Sequence, residues 1–405
     1  MRDMSSDMFA HATFVGRADL PGALLSPRKA GVMRKTTLAL VGAGVALAVA
    51  VSGCSSSKKS SGGSSGGGGK TSGTIGVILP DTVTSTRYTL YDAPLITQAI
   101  TTAGYKADVQ NAQGSNDKFA SIAQTMISEG VKVLIIDPPD PSAGVSVEKK
   151  AQSAGIPVID YDRLNLGGTA NYYVSFDNQD VGVQQATGLL KCLTQEKSAP
   201  KPAQIIQLNG GTDIDNNATL FKNGANSVLS KAQSAGTIKV VSSTDVSKWD
   251  NTVAKTDFQQ ALTSNGGKVD GVLAANDGIA GSAITVLKTQ HLKVPVTGQD
   301  ATIQGLQSVL EGDQCMTVFK DVKKEANAVA ALALALIKGD KTKAGSLASQ
   351  KLHDPTGNRD VPSYLLKAES IFKNNVNDVI NAGALTAADI CKGIEATCKA
   401  NGINP

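Results

Sequence analysis

From Thr74 onward the chain alternates two patterns. Short apolar runs rich in Val and Ile recur at Thr74–Leu79, Val131–Ile136, Ile156–Ile159, Ala203–Leu208, Ile238–Val241, Gly271–Ala274, Val294–Thr297 and Met316–Phe319. Between them lie longer stretches whose apolar residues fall at helical spacing. Phe119, Ile122, Ala123, Met126 and Ile127 mark one, and Ala280, Ala283, Ile284 and Leu287 another. Near-continuous apolar strands separated by amphipathic helices predict parallel sheets buried on both faces, an α/β fold. So many units could close one barrel or form two open sheets.

The punctuation favours open sheets. Several predicted strands run into a polar cluster: Asp81, Asp137, Asp162-Arg163, Asn209, Asn276-Asp277 and Asp300. In open parallel sheets ligands bind beyond the carboxyl ends of the strands. Any single Asp or Asn there reads equally well as a helix N-cap. Capping explains the whole set poorly, because Arg163 and Lys320 stand at strand ends and cap nothing.

Upstream of the alternating region the pattern changes. Arg34 and Lys35 precede a run of small and apolar residues from Leu38 to Val51. That run is about 14 residues, short of the roughly 20 needed for a span, and it reads as a secretory signal. Val51-Ser52-Gly53-Cys54 resembles a bacterial lipobox, which implies cleavage before Cys54, lipidation of its thiol and a protein tethered to the outer face of the membrane. Residues 1–53 are thus expected to be a misplaced start plus signal peptide. Residues 54–72, rich in Ser and Gly, are expected to be a flexible tether. What remains is too long for one ordinary core and suits two domains.

Composition removes several functions. The net charge is only +4, with acids and bases interleaved, so no nucleic-acid footprint exists. The three histidines and five cysteines nowhere take zinc spacing. Gly62-Gly63-Ser64-Ser65-Gly66 has the letters of a nucleophile elbow, but no strand precedes it. No phosphate-cradling or dinucleotide-binding loop follows the first strand. No catalytic residue, metal or cofactor is expected. The strand-end residues do match what a neutral sugar needs: carboxylates and amides to accept, Arg, Lys and Asn to donate, and a flat aromatic for the C–H faces.

Six segments in order carry a family resemblance: Ile159–Arg163, Val174–Asn178, Asn209–Ala218, Ala275–Gly281, Gly298–Ala301 and Met316–Lys320. From Thr74 to about Asn377 the chain resembles the sugar-binding proteins of bacterial ABC importers, in the ribose/xylose/galactose group. That resemblance implies two Rossmann-like lobes joined by three crossovers, with a monosaccharide (D-xylose or a related pentose or hexose) held between them. It implies lobes of residues 73–177 with 321–367, and 178–320 with 368–405. It assigns sugar contacts to Arg87, Tyr88, Asp137, Asp162, Arg163, Asn217, Trp249, Asn276, Asp300 and Lys320. It also implies a permease and its ATPase as partners, and a monomer. The alternative is a receptor that presents sugar to a membrane sensor kinase. A transcription repressor would need a helix-turn-helix, and a glycosidase would need a carboxylate pair that spacing alone does not identify.

The four cysteines after Cys54 depart from the family pattern. An even number in an exported chain favours disulfides. Cys192 closes a predicted helix and Cys315 opens a strand, at the same level of a parallel lobe. Cys391 and Cys398 could meet only if the chain breaks at Gly393, because a continuous helix would hold them about 10 Å apart. The expected pairs are Cys192–Cys315 and Cys391–Cys398.

Overall fold

A computed structural model describes residues 73–195 and 200–404. The expected leader, Cys54 and the tether lie outside the described residues. No helix among the described residues is long and apolar enough to cross a membrane.

The strands are β1 (Thr74–Leu79), β2 (Lys106–Asn111), β3 (Val133–Ile136), β4 (Val158–Tyr161), β5 (Tyr172–Phe176), β6 (Ala203–Asn209), β7 (Ile238–Asp245), β8 (Gly271–Ala274), β9 (Thr297–Gln299), β10 (Met316–Phe319), β11 (Gln350–Asp354), β12 (Arg359–Leu366) and β13 (Glu369–Phe372). Seven form one sheet in the order β11-β12-β5-β4-β3-β1-β2, parallel except for the edge strand β11. The others form β7-β6-β8 and β13-β10-β9, joined at a single parallel bridge between Val272 and Val296. The result is two open α/β lobes, and no barrel closes. In each lobe the strand order reverses beside its first strand, β1 or β6. Such switch points are where open sheets leave a crevice for a ligand.

The chain leaves one lobe for the other after β5, after β10 and after β12. Phe319 ends β10, and the helix Val322–Ile337 then packs on the first sheet, with Ala326, Val329, Leu332 and Ala333 in its core. The helix Asn178–Gln195 packs with the second lobe against the helix Asn216–Ser234. Both helices carry glycine at their crossing. A Cβ on Gly182 would overlap the Phe221 carbonyl, and one on Gly224 would overlap the Gln179 carbonyl. This close approach fixes Asn217, at the start of the second helix, beside Asn178, whose Nδ2 donates to Asn217 Oδ1 at 2.8 Å.

Most apolar runs are strands, with boundaries moved by local chemistry. The run at Val294–Thr297 begins its strand only at Thr297, because Pro295 has no N–H for a ladder. The segments β2, β11, β12 and β13 escape a search for apolar runs because each lies at or near a sheet edge and leaves polar side chains half-exposed. Cys192 lies beside Cys315 (Cα–Cα 6.5 Å) and Cys391 beside Cys398 (Cα–Cα 5.8 Å), within reach of a disulfide in each case. Gly393 stands between the short helices that carry the second pair, with φ +86°.

The helix crossing gives a test with a definite sign. Gly→Ala inside a helix normally stabilises by about 1 kcal/mol. Here the atoms in the way are backbone and cannot move aside, so Gly224→Ala should destabilise by about 1–3 kcal/mol in urea unfolding. A variant as stable as the parent would show that the helices can separate freely.

Candidate functional site

The loops at the carboxyl ends of the strands of both lobes meet over a small space. It is lined by Thr84, Ser85, Arg87, Tyr88, Asp162, Arg163, Asp215, Asn217, Phe221, Trp249, Asn276, Gln299, Asp300 and Lys320. Its charged walls are largely shielded from solvent: Arg87 and Arg163 are 4 % exposed and Lys320 is 5 % exposed.

After β1, Asp81 folds its own loop by accepting from Val83 N and Thr84 N, each at 2.7 Å. A π-helical turn, Tyr88–Asp92, then presents Arg87 and Tyr88. Asp92 holds the Arg87 guanidinium at two points, 2.9 Å from Nε and 2.7 Å from Nη2. Glu325, from the helix after the second crossing, contacts the same guanidinium.

After β4 the chain turns sharply at Asp162, whose φ is +58°. Three donors fasten its carbonyl: Tyr173 Oη at 2.8 Å, Ser175 Oγ at 2.9 Å and Asn217 Nδ2 at 2.7 Å. A non-glycine residue in this conformation stays there only when its surroundings hold it. Its carboxylate accepts from Tyr88 Oη at 2.7 Å and lies 3.5 Å from Arg87 and 3.8 Å from Lys320. Burial alone would push this carboxyl up. The charges of Arg87, Lys320 and Arg163 outweigh burial and hold it well below the usual carboxylate range.

The second lobe closes the other side. Asp215 caps the helix Asn216–Ser234 and lies 3.4 Å from Arg163 Nε. Asn276 caps the helix Asp277–Thr289 by accepting from Ile279 N at 2.9 Å, and it also lines the cavity. Capping and lining are therefore not rival roles at this position. Trp249 ends a tight turn in which it and Lys248 both have positive φ. Its ring lies so close to Gly210 that a Cβ there would overlap it, and it meets Phe221 edge-on at 6.2 Å between centroids. Asp300, with φ +97°, lies 3.6 Å from Lys320 and 3.5 Å from Ser85 Oγ of the first lobe.

Nine of the ten expected contacts thus line one space, and Asp137 is the exception. It is fully buried behind Arg163, 3.8 Å from Nε, and its oxygens accept no hydrogen bond among the described residues. The chain turns away through Pro138, whose carbonyl Arg163 Nη1 reaches at 3.4 Å. Asp137 backs Arg163 without facing the cavity. Burial pushes its carboxyl well up, against the opposing charge of Arg163.

Sequence reasoning passed over Thr84, Ser85, Asp215, Phe221 and Gln299. Asp215 and Gln299 lie inside motifs that were singled out, and Phe221 follows Asn217 by one helical turn, so their neighbours signalled them. Thr84 and Ser85 carry no such signal. Among the described residues no cluster suits a metal ion.

Three carboxylates, Asp92, Asp162 and Glu325, surround Arg87. Burial pushes Glu325 up to about 8; Arg87 works against it, and Asp162 and Asp92 add to it. A carboxyl raised in the folded state favours folding below its unfolded pKa, about 4.3 for glutamate, and loses that contribution as pH rises toward its folded value. Stability should therefore fall between about pH 5 and 8 through this group, and Glu325→Gln should flatten that part of the curve. Parallel curves for the two proteins in urea titrations would place the proton elsewhere.

With the geometry in place, comparison with known proteins gives a consistent answer. The periplasmic binding protein domain family matches residues 75–341. The chain is similar to the D-xylose-binding periplasmic protein of Escherichia coli (strain K12), 36 % identical over 291 residues, 71 % of this chain and 84 % of that protein. It is similar to a multiple sugar-binding periplasmic receptor of Rhizobium radiobacter, 34 % identical over 335 residues, 79 % of this chain and 92 % of that protein. Among solved structures, a carbohydrate transporter solute binding protein from Chloroflexus aurantiacus, in complex with D-glucose, superposes with a TM-score of 0.69 at 28 % identity, covering 78 % of this chain and 97 % of the other. These relatives are solute-binding proteins and not enzymes, and their family works outside the cytoplasmic membrane. The chain belongs to the periplasmic binding protein family.

Proposed function

We propose that this protein captures a neutral monosaccharide between its lobes and delivers it to an ABC permease. The observation that carries the reading is the charge balance of the cavity wall. Arg87, Arg163 and Lys320 face Asp162, Asp215 and Asp300, and each cation lies within 3.8 Å of a lining carboxylate. An anionic ligand would confront the carboxylates and a cationic one the guanidinium groups. A hydroxyl both donates and accepts, so a polyol can bind to both signs at once. Trp249, Phe221 and Tyr88 supply the ring faces that a pyranose C–H surface requires. The relatives' names add sugars as a class, with D-xylose and D-glucose among them.

On this reading nine residues contact sugar: Arg87, Tyr88, Asp162, Arg163, Asn217, Trp249, Asn276, Asp300 and Lys320. The lobes hinge where the chain crosses after β5, β10 and β12, as is usual for closure around a ligand. We further propose the sequence-derived assembly: a monomer anchored by lipid on Cys54, with Cys192–Cys315 and Cys391–Cys398 oxidised after export. Non-reducing peptide mapping of the exported protein should give an acylated peptide beginning at Cys54 and both cystine peptides. A Cys192–Cys391 peptide or free thiols would refute the pairing.

Calorimetry against xylose, ribose, arabinose, galactose and glucose tests the function. At least one should bind with a single site, while the corresponding sugar acids and phosphates should not. Asp162→Ala should lose about 2–5 kcal/mol of affinity, because it removes the one carboxylate that Tyr88, Arg87 and Lys320 share at the cavity wall. Affinity within twofold of the parent would refute the assignment. Trp249 is the only tryptophan, so sugar should change the protein's indole fluorescence; an unchanged spectrum at saturation would remove Trp249 from the binding surface.

A further inference from the structure

One buried carboxylate beside the cavity has no part in the site as described. Asp277 follows Asn276 and opens the helix Asp277–Thr289, but the cap is Asn276. Asp277 turns into the protein instead. Its Oδ1 accepts from Gln314 Nε2 at 2.9 Å and from Thr317 Oγ1 at 2.8 Å. Its Oδ2 accepts from Thr302 N at 2.8 Å and from Thr302 Oγ1 at 3.0 Å. Thr317 Oγ1, having donated to Asp277, accepts from Ala301 N at 3.2 Å.

These bonds converge on one short turn. Asp300 and Ala301 both have positive φ, +97° and +49°. Neither is glycine, and such residues keep that conformation only where neighbours impose it. The amides of Ala301 and Thr302, the two that follow Asp300, are the ones tied to Thr317 and Asp277. The sequence also makes room for the carboxylate. A Cβ on Gly298 would overlap Asp277 Oδ1, and a Cβ on Gly305 would overlap Oδ2. Neither glycine has positive φ, so space is what these positions provide. Burial pushes the Asp277 carboxyl up to about 6, against the opposing donors Gln314, Thr302 and Thr317. All four of its partners donate, so the carboxylate serves here only as an acceptor.

We infer that Asp277 is a positioning residue for the binding cleft: without touching the ligand, it holds the Asp300–Thr302 turn so that the Asp300 carboxylate faces Lys320 and the cavity. The inference rests on the reading above that Asp300 contacts the sugar. Asn is the informative replacement, because its amide nitrogen cannot accept and must face two of the four donors.

Two measurements test it. In ligand-free protein, Asp277→Asn should speed hydrogen exchange at the Ala301 and Thr302 amides by about tenfold or more, as expected when a buried hydrogen bond is unmade. Unchanged exchange at both would overturn the inference whatever the ligand. Titration with D-xylose and D-glucose then forms a cycle with Asp300→Ala. Asp277→Asn should weaken binding by about tenfold in the parent and add little once Asp300 is absent. Equal losses in both backgrounds would mean that Asp277 acts on the fold generally and would overturn the inference. If Asp277→Asn does not fold, Thr317→Val, with a strand-compatible side chain, unties the Ala301 amide alone: exchange should rise at Ala301 while Thr302 stays tied to Asp277, binding should weaken only where Asp300 is present, and unchanged exchange at Ala301 would overturn the inference. Should the parent bind no sugar, the functional reading fails, while the exchange measurement still decides the role of Asp277.

Discussion

The cleft is organised by the need to compensate buried charge. Arg87, Arg163 and Lys320 are nearly out of solvent, and stranding any of them without a partner would cost several kcal/mol. Each is given acids before any ligand arrives. Arg87 has Asp92 and Asp162, with Glu325 in contact behind them, Arg163 has Asp215, backed by Asp137, and Lys320 has Asp162 and Asp300. Asp162 stands at the centre of this set, and its backbone is fixed as firmly as its carboxylate. Three side-chain donors on one carbonyl fix where the charge can sit. The same balance that permits burial leaves the wall with no net preference for either sign, so electrostatics select for neutrality and geometry is left to select among neutral ligands.

Much of this was legible in the sequence for a physical reason. Parallel strands buried on both faces must be apolar throughout, so β1, β6, β8 and β10 stand out as runs. The functional residues cluster just past their ends because that is where open sheets leave a crevice. What escaped was structure without such a signature. The edge strand β2, Lys106–Asn111, is polar because solvent reaches it. The pair β11 and β12 reads as loop for the same reason. Within the site, Asp137 has the residue type and the strand-end position of its neighbours yet points behind Arg163, since Pro138 and Pro139 redirect the chain. Residue type and position along a strand do not encode that direction. Thr84 and Ser85 contribute hydroxyls from a loop whose path is set by Asp81, a capping interaction invisible without coordinates.

Local strain is concentrated at the cleft. Asp162, Trp249 and Asp300 all line the cavity with positive φ, and each is fastened by a different part of the fold. Asp162 is held by tyrosine, serine and asparagine donors, Trp249 is wedged beneath Gly210 and Gly211, and Asp300 precedes the turn tied to Asp277. Rigid placement of this kind removes ordering costs at the moment of binding.

Lys320 immediately follows β10, at the second crossing of the chain between lobes. Its ammonium group and the hinge backbone are one residue of the same segment, so rotating the hinge and moving the charge are a single motion. In the hinge motion proposed above, Asp162 would separate from Lys320 and Arg163 from Asp215, with water and counterions taking the vacated places. Such an opening would be an ion-uptake event as well as a mechanical one, and the balance between empty open and empty closed forms would then depend on the surrounding electrolyte.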